Sequence, residues 1–363
     1  TIDGGNILTN NGNITLNLAS GGLTAVGTIT GNVLNVTANT TSSLNTNITS
    51  LVAKIQNNLA SLSVQEASSL DIGSGNVTTN NGVISINLTT GDLENILGGS
   101  INAGSGNITL NASAGGIDLT NATVLGQDVV GNLLSLVAND YATVNTTVSS
   151  LTALLLGQGA PLVIEETNGL SIGSGNVTTN DGDISLSLTL GNLNSPVGGI
   201  LDAGVANVSL YAIAGGIDLS ITPLPGITGS DLILLAKTSA VVTTNVTTLS
   251  ANITGSGGSL SVEETDDLEI GISHVIANNG PVSINLATGN LAVTGAINAG
   301  TPGDVSLNTS LGGISGAGLI TGDLLSVLAQ NSVAVNTAIV SVTANLTFAG
   351  SSLIINEANN LTI

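Results

Sequence analysis

Aliphatic residues alternate with Asn, Ser or Thr along most of this chain. In Val83-Ile84-Ser85-Ile86-Asn87-Leu88 and in Asn107-Ile108-Thr109-Leu110-Asn111 the period is two, which gives a strand one apolar and one polar face. Asn81-Gly82, Asp181-Gly182, Asn279-Gly280 and Gly115-Gly116 separate such runs, and Gly or Asn readily takes the positive φ that a sharp turn needs. The expected rhythm is strand, corner, strand. The stretch from Ser50 to Leu62 also fits a helix, because Leu51, Ile55, Leu59 and Leu62 fall near helical spacing. Its counterparts, Val241 to Ile253 and Val333 to Leu346, are rich in β-branched residues, so strand is expected throughout.

One phrase recurs along the chain. Leu70-Asp71-Ile72-Gly73-Ser74-Gly75-Asn76-Val77-Thr78-Thr79-Asn80-Asn81-Gly82 returns almost unchanged from Leu170 to Gly182. Looser copies run from Leu268 to Gly280 and from Thr1 to Gly12, and the chain closes on Leu361-Thr362-Ile363. The isoleucine of the phrase stands at Ile2, Ile72, Ile172, Ile270 and Ile363. The modules are therefore 1–71, 72–171, 172–269 and 270–363, about 100 residues each apart from a shortened first. A stack of similar layers tolerates the loss of whole turns, and a globular core does not. The expected fold is all-β, a single continuous parallel β-helix (β-solenoid) over 1–363. With about 20 residues per coil it has roughly 18 coils.

Composition sharpens this picture. Phe348, Tyr141 and Tyr211 are the only aromatics, so the interior is built from aliphatic side chains, which suits a narrow solenoid. The hydrophobic fraction of 42% is too high for a chain disordered for want of a core. Lys54 and Lys237 are the only basic side chains against 23 acids, for a net charge of −21. A partner made of phosphates needs a basic patch, so nucleic acid is excluded and anionic membrane surfaces are disfavoured. Cysteine is absent, which removes disulfides and thiolate ligands. No apolar run approaches the roughly 18 residues of a membrane-spanning helix, so no membrane insertion is expected. A start at Thr1-Ile2-Asp3 points to a processed chain or a window cut from something longer.

Gly106-Asn107-Ile108-Thr109-Leu110-Asn111-Ala112, followed by Gly115-Gly116-Ile117-Asp118-Leu119, resembles the central repeats of filamentous-haemagglutinin-like exoproteins, bacterial surface proteins of the two-partner secretion and autotransporter kind. The resemblance extends over nearly the whole chain. It implies a right-handed parallel β-helix, an extracellular or cell-surface location, and an adhesive or filament-forming role. It implies no catalytic residue.

Acids recur at one phase of the repeat: Glu66, Glu165-Glu166, Glu263-Glu264 and Glu357. Together with Asp71, Asp266 and Asp267, the residues Glu66, Glu165, Glu166, Glu263 and Glu264 are candidate oxygen ligands for Ca²⁺. The Gly-rich nonapeptide calcium signature is missing, and the competing reading is a solvated acidic edge that deters sideways aggregation. No cofactor is otherwise expected. His274 is the only histidine, so any Ser-His-Asp triad must use it; it stands in a variant copy of the repeated phrase, where a surface corner residue is the ordinary expectation. Polysaccharide-cleaving β-helices pair carboxylates with basic partners, and this chain has no Arg. The Thr pairs Thr78-Thr79, Thr178-Thr179 and Thr243-Thr244 invite an ice-binding reading, but they recur once per module rather than once per coil. Asn-x-Ser/Thr sequons such as Asn107-Ile108-Thr109 and Asn252-Ile253-Thr254 are numerous, as a chain rich in these residues makes them by chance.

The chain is therefore expected to be a structural protein and not an enzyme. It would form part of a surface filament, sheath or adhesin stalk, with itself as partner through head-to-tail or lateral filament contacts, or as a segment of a longer chain. The alternative expectation is a solenoid adhesin that binds glycans or a host surface through a lateral face.

Overall fold

The computed structural model describes residues 5–121, 128–221 and 225–363; the marker Ile2 lies outside them. Among the described residues there are 31 strands and no helix. They pair in parallel and wind into a β-solenoid of about 15 turns. The ambiguous stretch is strand within Ser42–Asn58, then a corner in which Leu59 has φ of 63°, before the next strand starts at Leu62; its counterparts are the strands Ala240–Ile253 and Val333–Leu346.

The turns are fewer than the roughly 18 expected because several are long. Successive positions are 17 residues apart between Leu34 and Leu51, but 24 apart between Ile84 and Ile108 and 26 between Ile108 and Leu134. Corners absorb the difference. Short turns run almost without a break through one bent strand such as Ala142–Gln158, whereas long turns divide into pieces such as Ile84–Leu88, Leu93–Glu94 and Ile101–Asn102.

Contacts group the chain into two units, Thr1–Gly182 and Asp183–Ile363. Inside the first, Ser42, Leu62, Ile84, Ile108, Leu134, Leu151 and Ile172 stand in register on successive turns. Inside the second, Leu193, Ile217, Ala240, Leu260, Val282, Val305, Leu325 and Val342 do the same. Turns about 4.8 Å apart put each aliphatic side chain on the one below, and nearly all of these are fully buried. The core is aliphatic, as the composition predicts: Phe348 is exposed and neither tyrosine is among the buried residues.

The turn chemistry matches the expectation in part. Asn81, Asp181 and Asn279 have φ of 62°, 57° and 60°. The glycine that follows each one is required for a different reason. A Cβ on Gly82 or on Gly182 would lie 1.9 Å from the carbonyl oxygen of Ala60 or Ala160 on the turn below. At Gly115-Gly116 the expected positive φ is not found. Gly115 is there because a Cβ would meet the Gly91 carbonyl oxygen at 2.2 Å.

Candidate functional site

The recurring acids form the most regular polar feature of the solenoid, and it is an internal one. Glu66, Glu166 and Glu264 are buried, at 0%, 1% and 1% exposure, which corrects the reading of these three as a solvated edge. They sit inward at the ends of the short strands Leu62–Glu66, Leu162–Glu166 and Leu260–Glu264. Period two makes inward every second residue from the leucine, so the last position of each strand must face the core whatever its chemistry.

Each buried carboxylate is enclosed by donors. Glu264 accepts from Thr244 Oγ1 at 2.8 Å, Val246 N at 3.1 Å, Thr265 N at 2.6 Å and Asp266 N at 3.4 Å. Glu166 accepts from Thr146 Oγ1 at 2.7 Å and from the Val148 and Asn168 amides at 3.0 Å each. Around Glu66 the donors are the amides of Ile48, Ala67 and Ser68, at 3.3, 2.9 and 3.1 Å, together with the Thr46 hydroxyl. Glu357 repeats the arrangement with Thr337 Oγ1 at 2.7 Å and the Asn359 amide at 2.8 Å. The threonine stands 20 residues before the glutamate in all four cases. That spacing is one turn, so threonine and carboxylate are neighbours on adjacent turns.

Burial pushes the carboxyls of Glu66, Glu166 and Glu264 above the usual range, and the donors around them pull part of the way back. At Glu357 burial still pushes upward, but it is outweighed by the bonds from Thr337, Asn359, Ile339 and Ala358, and the net direction is down. The difference is one of cover. Leu88 stacks on Glu66 and Leu286 on Glu264, while Glu357 lies in the last described strand, Leu353–Glu357.

Hydrogen bonds from the protein occupy most of the lone pairs of these buried acids, which leaves few of them for a metal ion. The other calcium candidates are dispersed. Asp71 accepts from Ser50 Oγ and the Leu97 amide, both at 3.3 Å, and Asp267 accepts from the Asn290 amide at 2.6 Å. Glu263 accepts from Asn285 Nδ2 at 2.8 Å, whereas Glu165 and Asp266 are exposed. Among the described residues no three His, Cys, Asp or Glu side chains are grouped to hold a metal ion.

His274 occupies a corner with φ of 69°, as Asn76 does with 66°. Its Nδ1 accepts from the Ala296 amide at 2.9 Å, and the Asn76 side-chain oxygen accepts from the Ser100 amide at the same distance. The imidazole thus does the work of an asparagine, tying a corner to the next turn. The threonines singled out for ice are largely internal: Thr79, Thr179, Thr243 and Thr244 are buried, with Thr79 donating to the Gly82 carbonyl. One surface groove is lined by Asn252, Thr254, Ile276, Asn278 and Asn298, and another by Thr247, Asp267, Glu269 and Asn290. No helix among the described residues is long and apolar enough to cross a membrane.

The cages carried one signal that the sequence reading missed: Thr46-Asn47-Ile48, Thr146-Thr147-Val148, Thr244-Asn245-Val246 and Thr337-Ala338-Ile339 each precede a phase-matched glutamate by one turn. No family model, curated protein or solved structure matches the chain.

Proposed function

We propose that this chain is structural material of an extracellular surface filament, sheath or adhesin stalk, a β-solenoid extended by further turns that come from another copy or from a longer chain. The observation that carries the reading is the turn-on-turn register: Leu62, Ile84, Ile108, Leu134, Leu151 and Ile172 stack in one column, held by a parallel backbone ladder that a further turn extends in the same way.

Ile84, Ile86 and Leu88 cover Leu62, Val64 and Glu66 in this way. The resemblance to filamentous-haemagglutinin-like repeats supports the same reading, and so does a sequence that offers trypsin only Lys54 and Lys237.

Electron microscopy of native material, combined with the intact mass under denaturing conditions, tests the proposal. Filaments built from chains of 35.4 kDa indicate end-to-end stacking, and filaments or rods of much larger chains indicate one covalent solenoid. Isolated monomers with exchange-labile amides at 353–357 would overturn it.

A further inference from the structure

The first unit carries one outward face without charge. Thr24, Ser43, Ser63, Ser85, Thr109, Ser135 and Thr152 stand in register on seven successive turns. Two residues further along each strand, Asn45, Gln65, Asn87, Asn111, Val137 and Leu154 form a second row. Neighbours within a row are about 4.8 Å apart and the rows are about 6.7 Å apart. Amide contacts link neighbouring turns: Asn87 Nδ2 donates to Gln65 Oε1 at 2.6 Å, and Gln65 Nε2 to Thr89 Oγ1 at 3.3 Å. Neither row contains an ionisable side chain, in a chain of net charge −21. Acids gather in a separate row instead, where Asp71, Glu94 and Asp118 stack in register.

We propose that this uncharged face is a lateral docking surface for a second copy of the same chain, the two sheets meeting face to face. The inference deepens the filament reading by naming its lateral contact. Charge selects the face: two copies each at −21 repel wherever acids meet, and the Asp71–Glu94–Asp118 row makes that approach the worst. The hydroxyl and amide rows remove the penalty. Chemistry selects the partner, because every hydroxyl and carboxamide both donates and accepts, so such a face is complementary to its own copy. A ladder repeated every turn lets all of these groups find partners in one register, as stacked amide and hydroxyl rows do between paired sheets. Val137 and Leu154, the latter 43% exposed, add apolar area at one end. The second unit has a kindred row in Ser261, Ser283, Ser306, Ser326 and Thr343, but Glu263 charges the row beside it, so the first unit supplies the contact.

The test uses the whole chain in two forms. Ser85→Glu with Thr109→Glu places two like charges in the row; sedimentation equilibrium should show the dimer dissociation constant raised at least about tenfold, with unchanged circular dichroism. The chain has no cysteine, so Asn87→Cys introduces a single thiol, expected to give disulfide-linked dimers under mild oxidation, while Glu94→Cys on the acidic row gives none. Wild-type association should tighten as salt screens the net charge. Equal cross-linking from both cysteines, or a glutamate variant that associates like wild type, would overturn the proposal. Long filaments of single width would sink lateral docking and sustain end-to-end stacking, whereas paired short solenoids would do the reverse.

Discussion

Removal of the carboxylate from one cage gives the sharpest measure of what the repeat stores inside. Glu264→Ala leaves the Thr244 hydroxyl and the Val246 amide without their acceptor, and both residues are at most 2% exposed. An unsatisfied buried donor costs about 1–3 kcal/mol, so the two together cost about 2–6 kcal/mol. A water admitted to the vacated space recovers some of this, and the expected loss is about 3 kcal/mol. Thr244→Val keeps the shape and removes only the hydroxyl. A bond to a charged acceptor contributes about 1.5–3 kcal/mol, and the added methyl returns about 0.8 kcal/mol, which leaves a loss of about 1–2 kcal/mol. Because the two residues share one bond, their double-mutant cycle should show a coupling above about 1 kcal/mol. Guanidinium unfolding followed by circular dichroism reads the total. Repeat arrays need not unfold in one step, so exchange of the Val246 amide reads the cage itself. A Glu264→Ala variant within about 0.5 kcal/mol of wild type, with Val246 exchange unchanged, would refute the view that the cages hold adjacent turns together.

Four further outcomes are expected. Glu66, Glu166 and Glu264 have folded-state pKa values raised by burial, so their contribution is full below the unfolded carboxyl value and is lost as pH rises through the raised one; the denaturation midpoint should increase as pH falls through the raised value toward the unfolded one, and Thr244→Val should widen that window. Glu357, whose value is lowered, contributes in the opposite sense and loses its share only as pH falls through that lower value, which Glu357→Gln should reveal as a smaller loss in acid. At the His274 corner, His274→Asn should stay within about 0.5 kcal/mol of wild type, because Asn76 makes the same bond, while His274→Ala should cost about 1 kcal/mol in chemical denaturation for the lost acceptor. Gly182→Ala, which sets a Cβ 1.9 Å from the Ala160 carbonyl oxygen, should cost more than about 2 kcal/mol and broaden the unfolding transition.

Much of the architecture was legible because a solenoid writes its geometry locally. The period-two runs marked the strands, and the phrase built around Ile72 and Ile172 marked the modules. The Asn-Gly and Asp-Gly pairs at Asn81, Asp181 and Asn279 marked corners correctly. The acidic residues were found but misplaced. Glu165-Glu166 and Glu263-Glu264 read as one acidic cluster each, although period two turns Glu165 and Glu263 outward and Glu166 and Glu264 inward. The same alternation applied to Leu162–Glu166 would have predicted it, but charge argued for the surface and outweighed the pattern.

What the sequence determined by itself was the alternation, the corners and the aliphatic composition of the core, since each depends only on neighbours along the chain. The tertiary structure alone decided the register between turns. It is register that sets Thr244 beside Glu264 across 20 residues, turns His274 into a tie between turns, and lines up Ser63, Ser85 and Thr109 into an uncharged row. Turn lengths of 17 to 26 residues hide such neighbours from any fixed sequence period. The backbone ladder restores them, because each added turn must satisfy its hydrogen bonds against the one below.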